Sequence, residues 1–156
     1  MNIFILDKDP TLAAQYQCDK HVVKMVLETA QLLCTVVSDL GADVPYKATH
    51  RKHPCTLWAA ESRQNFEWLV EHGISLAEEY TLRYDREHKS EAVIRLAAKH
   101  SRLLPDKGLT PWAQAMPDEY KAACAVEAYR AYYIGEKLHF AVWSLGSPYW
   151  VPEEEE

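Results

Sequence analysis

The sequence predicts an all-α protein, a single compact domain of about five or six helices behind a short extended N-terminal segment. Three observations lead there. Apolar residues recur at helical intervals through Val22–Val37, Leu57–Leu69 and Val126–Trp143, the pattern of helices with one buried face. Only Met1–Leu6 (MNIFIL) is continuous, apolar and β-prone. Pro10, Gly41, Pro54, Gly73, Gly146 and Pro148 stand where periodic stretches begin or end. A chain of 156 residues suits one domain, burying roughly two-thirds of its unfolded surface.

In chain order, Met1–Leu6 reads as extended and DKDP as a turn; Pro10 opens a short helix through Tyr16. Asp19 is placed as N-cap of a helix whose apolar residues Val22, Val26, Ala30, Leu33 and Val37 carry it to Ser38, with Gly41 as its stop. A loop spans Asp43–His53. Pro54 starts a helix expected to end near His72, with Gly73 as its C-terminal break. Separate helices are expected over Ile74–His88 and Ser90–His100, then a Pro-punctuated loop over Leu103–Pro117. The last helix is expected over Glu119–Trp143, with Asp118 as its cap. The domain is drawn as 1–150 and the acidic tail as 151–156, frayed from WVPEEEE onward.

Net charge is −6, and the terminal glutamates supply much of it. A duplex-DNA footprint normally carries a surplus of Lys and Arg, so the balance weighs against DNA and leaves room for a local anion pocket. The four cysteines form no Cys-x-x-Cys pair, which reads as reduced thiols and a cytoplasmic location. No uninterrupted apolar run of about 18 residues announces a membrane span.

The densest chemistry lies in Tyr46–Trp68. Lys47, His50, Arg51, Lys52 and His53 precede a helix carrying Trp58, Arg63 and Asn65. His53 before Pro54 sits at a helix start, beside free amides and the positive end of the dipole. His21, Lys24 and Glu28 share a helix flank, which reads either as an ordinary polar face or as the far wall of the same pocket. Trp58 and Trp68 read as core or pocket wall. Ser62 and Asn65 are poor helix formers in mid-helix, and an Asn amide can read a base edge. Arg83, Tyr84 and His88 read either as a charged helix end or as phosphate contacts. Trp112 is a candidate lid. A His/Cys metal set drawn from His21, His50, His53, Cys18 and Cys55 matches no zinc spacing, so neither metal nor cofactor is expected.

DKHVVKM (19–25), Y-K-x-T-H-x-x-H-P (46–54), W-x-x-x-S-x-x-N-x-x-W-L (58–69) and A-M-P-D-E-Y (115–120) resemble a group of small bacteriophage proteins over nearly the whole chain. The chain also resembles, at the level of fold, the phage pyrimidine-dimer DNA glycosylases of the endonuclease V type, which are small, all-helical and begin with an extended stretch before a helix. That resemblance implies an exposed N-terminal amine, made by removing the initiator Met before a small residue, and a carboxylate early in the first helix. Here Met1 precedes Asn2, which blocks removal, and Asp19 is the expected carboxylate, one methylene shorter than glutamate. A shared fold does not carry the chemistry with it.

Three functions follow as expectations. The leading one is a phage protein that binds a small phosphate-bearing nucleotide, an ADP-ribose derivative or a cyclic dinucleotide, and sequesters a host immune signal. Its ligand set is His21, Lys24, Lys47, His50, Arg51, His53, Trp58, Arg63, Asn65, Arg83, Tyr84 and His88. The alternative is a DNA glycosylase/lyase or nucleotide-cleaving enzyme using His/Glu acid–base chemistry. The third is an interaction protein that forms a homo-oligomer through its aromatic C-terminal helix.

Overall fold

A computed structural model describes residues 1–153 and contains six α-helices and no strand among them. The helices are α1 (Pro10–Gln15), α2 (Asp19–Ser38), α3 (Pro54–Glu61), α4 (Arg63–Tyr84), α5 (Ser90–Ala98) and α6 (Ala125–Glu136), with 3-10 turns at Ser101–Leu103 and Asp118–Tyr120. The all-α class is as expected.

α2 and α4 form the centre, with α1, α3 and α5 laid against them. The apolar stripe of α2 supplies Val22, Val26, Ala30, Leu33 and Val37, all fully buried. By length and hydropathy alone α2 is apolar enough to cross a bilayer, but 67% of that window is buried inside the fold, as a core helix requires. Asp19 is its first residue and Cys18 its cap. Instead of capping, the Asp19 carboxylate binds Arg83 and the Ser144 amide.

The 54–72 and 74–88 helices are divided differently from expectation. The break falls at Ser62, whose backbone is extended and whose Oγ accepts from Asn65 N; α4 then runs unbroken through Gly73. Gly73 is a contact point rather than a stop. A Cβ there would stand 2.8 Å from Thr29 Cγ2 and 3.0 Å from Ile94 Cδ1, so glycine lets α4 approach α2 and α5 closely.

The last helix is shorter than Glu119–Trp143. Gln114 clamps both backbone groups of Ala122, which holds the preceding chain out of the helix, so α6 begins at Ala125. Beyond Glu136 the chain is irregular, but Trp143 Nε1 donates to Tyr16 O and Trp150 packs edge-on against Tyr16 and Tyr133. Trp150 is therefore docked, not frayed; the last three residues of the expected acidic tail lie outside the described residues.

The first six residues run through the core. Ile3, Phe4, Ile5 and Leu6 are buried. Asn2 Oδ1 accepts from the amides of Ile3 and Phe4, its Nδ2 donates to Ala115 O, and Arg130 Nε donates to Leu6 O. These bonds hold Phe4 at φ 57°, a left-handed conformation costly for an aromatic residue. The kink sets where Met1 emerges.

Candidate active site at the N-terminal amine

Met1 comes to rest against α2 and the first turn of α3. Its α-amine lies 3.2 Å from Glu28 Oε1, and its sulfur lies 3.9 Å from Thr56 Oγ1. The Met1 side chain is almost wholly covered although the residue as a whole is only half-buried. The exposed part of Met1 is therefore backbone. Glu28 Oε2 is buried and accepts no hydrogen bond among the described residues. A primary amine thus stands beside a carboxylate with one oxygen uncommitted.

His53 completes the group. The turn His50–His53 closes with His53 N donating to His50 O, and His50 adopts φ 52°. This places His53 as the N-cap of α3, with Nδ1 accepting from Cys55 N at 3.1 Å. With Nδ1 occupied as an acceptor, the neutral ring carries its proton on Nε2. Burial holds the His53 pKa below its ordinary value, helped by the Met1 ammonium and His50 and opposed by Glu28 and the Met1 carbonyl. Cys55 beside it is no rival nucleophile: burial pushes its thiol up to about 12.

Exposed cationic groups stand on α2 and on the loop before α3. Lys20 and Lys24 are exposed on α2, and Lys24 stands one turn before Glu28. Lys137 lies 4.9 Å from the Tyr132 ring centre and 6.0 Å from that of Phe4. Lys47, His50, Arg51 and Lys52 are exposed on the loop. Arg51 is bound to Asp39, while Lys47 and Lys52 are exposed and form no ion pair among the described residues.

The remaining expected ligands fall into the framework. His21 is 7% exposed, stacked 4.5 Å from Phe4 and bonded through Nδ1 to Tyr133 Oη at 2.7 Å. Burial and then Lys137, Lys24 and Lys20 lower its pKa to about 4, so it is a neutral core histidine and does not face the loop histidines. Trp58 is buried, with Nε1 donating to Thr110 O. Arg63 donates to Leu104 O. Asn65 ties the Trp58 carbonyl to Thr110 and has no amide left for a base edge.

Arg83 is covered and holds Gln15 O, Gln17 O, Asp19 and Glu79. Tyr84 donates to Asp19 O, and His88 bridges Val23 O and Ser90 N. Of the expected set, Lys24 stands one turn before Glu28 on α2, and His50 and His53 close the turn that starts α3, whose Thr56 meets Met1; Lys47 is exposed earlier on that loop. The carboxylate beside that amine is Glu28, not Asp19, which is committed to Arg83 and the Ser144 amide. Among the described residues no group of three or more His, Cys, Asp or Glu side chains converges in metal-binding fashion.

No curated protein and no solved structure matches the chain. Residues 1–92, more than half of it, match the family described as pyrimidine dimer DNA glycosylase. That stretch contains the amine, Glu28 and His53. The match agrees with the fold-level resemblance seen in the sequence and gives nothing to nucleotide sequestration. The chain belongs to the pyrimidine dimer DNA glycosylase family.

Proposed function

We propose that the protein is a DNA glycosylase/lyase whose nucleophile is the Met1 α-amine and whose acid–base group is Glu28. One observation carries the reading: the 3.2 Å pairing of that amine with a half-committed carboxylate, inside the family-matched residues. An amine is activated when an adjacent base can take its proton. With the ammonium proton passed to Glu28, the nitrogen lone pair attacks C1′ of the damaged nucleotide. The N-glycosidic bond breaks, the base leaves with the bonding electrons and takes a proton, and opening of the sugar ring leaves C1′ as an iminium on the amine. Loss of a C2′ proton then expels the 3′ phosphate, and water releases the amine. A target within a duplex must first be drawn out of the stack.

DNA is accordingly the partner in this reading, against the weight that net charge placed on a small nucleotide. Lys20, Lys24, Lys47 and Lys52 face solvent where phosphates would pass. The host-cell cytoplasm is where such an enzyme meets its substrate.

Borohydride reduction during incubation with a duplex carrying one pyrimidine dimer, or one abasic site, tests the reading. A covalent protein–DNA adduct is expected, mapping by mass spectrometry to the N-terminal peptide. Glu28→Gln is expected to lower its formation about 10²-fold or more, and an N-terminal extension that blocks the amine to abolish it. Absence of both strand cleavage and adduct with either duplex sinks the reading.

A further inference from the structure

We propose that the Met1 side chain is the positioning group that aims the α-amine at Glu28, so that the reaction needs both the amine of this residue and a filled seat for its side chain. This rests on the amine-centred reading above and deepens it. The Met1 side chain is 2% exposed and packs against the core. Its sulfur lies 3.9 Å from Oγ1 of Thr56, itself buried in the first turn of α3. The amine at the other end of the residue meets Glu28 of α2 at 3.2 Å. Met1 is thus seated on one helix and paired with another.

Asn2 fixes the chain immediately behind it. Its Nδ2 donates to Ala115 O at 2.8 Å, and its Oδ1 accepts from the amides of Ile3 and Phe4 at 2.7 and 3.2 Å. Between that anchor and the reacting nitrogen only Met1 is left to turn, and its buried side chain stops it. Holding a nucleophile in a near-attack geometry lowers the barrier without touching the substrate. Excision of Met1 would pass the amine to Asn2. Successive residues stand about 3.8 Å apart, and Asn2 cannot close that distance to Glu28 without giving up its bonds. The bulk of Asn2, which keeps Met1 on the chain, and its amide, which anchors the segment, therefore serve one end.

The first residue is varied by releasing the chain from an N-terminal fusion with a protease that cuts directly before it. Four chains are compared: the wild type, Met1→Leu, Met1→Gly and a chain beginning at Asn2. Leucine refills the seat at similar volume, whereas glycine keeps the amine and empties the seat. Each is used at a temperature where circular dichroism shows it folded. The readouts are borohydride trapping on an abasic duplex and carbamylation of the terminal amine by cyanate, the latter relative to the same chain in denaturant. Met1→Gly is expected to trap about 10- to 100-fold more slowly, in kcat with KM unchanged, and to label several-fold faster, because the amine is released from Glu28. Met1→Leu is expected to restore most of both losses. The chain beginning at Asn2 is expected to trap about 100-fold more slowly or worse. Glu28→Gln is expected to cost far less in Met1→Gly than in the wild type, whereas a merely structural role leaves the two losses independent.

Wild-type trapping and labelling by Met1→Gly, or wild-type trapping by the chain beginning at Asn2, overturns the seat and leaves the glycosylase standing. If the wild type itself forms no DNA adduct, the enzyme reading fails, and labelling alone decides the seat: unchanged labelling in Met1→Gly overturns it. If Met1→Gly does not fold, Met1→Ala puts the same question through the same two readouts.

Discussion

Histidine does three different things in this protein, and burial decides which. His72 is fully buried, stacked on Trp68, with Nδ1 toward Pro10 O at 3.0 Å and Nε2 toward the Gln17 amide at 3.2 Å. Burial lowers its pKa to about 4, against small opposing contributions from backbone carbonyls. The proton therefore binds the unfolded chain more tightly than the folded one. The stability held above about pH 6.5 is lost as pH falls from there toward 4, on the order of 3 kcal/mol for this residue, and His21 adds in the same direction. A plot of Tm against pH should fall through that window, and His72→Gln should flatten it. Nothing in the sequence separates His72 and His21 from His50 and His53, because exposure is a property of the fold. The neighbouring Pro54 does single out His53 as a helix cap. Glu28 was visible as a flank residue, but only the path of Met1–Leu6 shows which carboxylate meets the amine. The resemblance, by implying a carboxylate early in the first helix, favoured Asp19, while the kink at Phe4 delivers the chain to Glu28.

At the scale of the element, α2 follows its periodicity to within one residue, from Asp19 to Ser38, because one continuous apolar stripe dictates it. The boundary between α3 and α4 was less legible. Ser62 interrupts a run whose apolar spacing persists on both sides, and the signal lay in the Ser62–Asn65 pair, read as a mid-helix anomaly when it is a helix start. Gly73 misled in the opposite sense: a glycine in mid-helix costs about 1 kcal/mol relative to alanine, which suggests a terminus, but here the missing side chain permits a helix crossing. Gly73→Ala should therefore be destabilising by about 1–2 kcal/mol despite its better propensity, since overpacking outweighs it. Thr29→Ser removes the methyl that the new Cβ meets, and the double variant should recover most of the loss in denaturant titration. Equal stability of Gly73→Ala and the wild type would show that the crossing relaxes freely.

Across the whole molecule, charge is sorted rather than spread. Because α2 and α4 pack against each other, their exposed faces point apart. The outer face of α4 carries Glu67, Glu71 and Glu78 around a shallow groove of about 380 Å³, while Lys20 and Lys24 stand exposed on α2 and Lys47 and Lys52 on the loop before α3. A net charge of −6 conceals this division. Affinity for duplex DNA should fall steeply with salt, and removing Lys47 and Lys52 together should reduce the slope of log affinity against log salt by about 2. Replacing Glu67 and Glu71 should leave that slope unchanged. Filter binding or fluorescence anisotropy at several salt concentrations reads both.

The anchoring of the first six residues bears on synthesis. Asn2 is tied to Ala115 and Leu6 to Arg130, bonds that span 113 and 124 residues of chain. The residues that leave the ribosome first are thus among the last to find their places. The amine, Glu28 and His53 all lie within the family-matched residues, but the groups that hold the N-terminal segment in position lie beyond them. A nascent chain released before α6 has every reacting group and no assembled site.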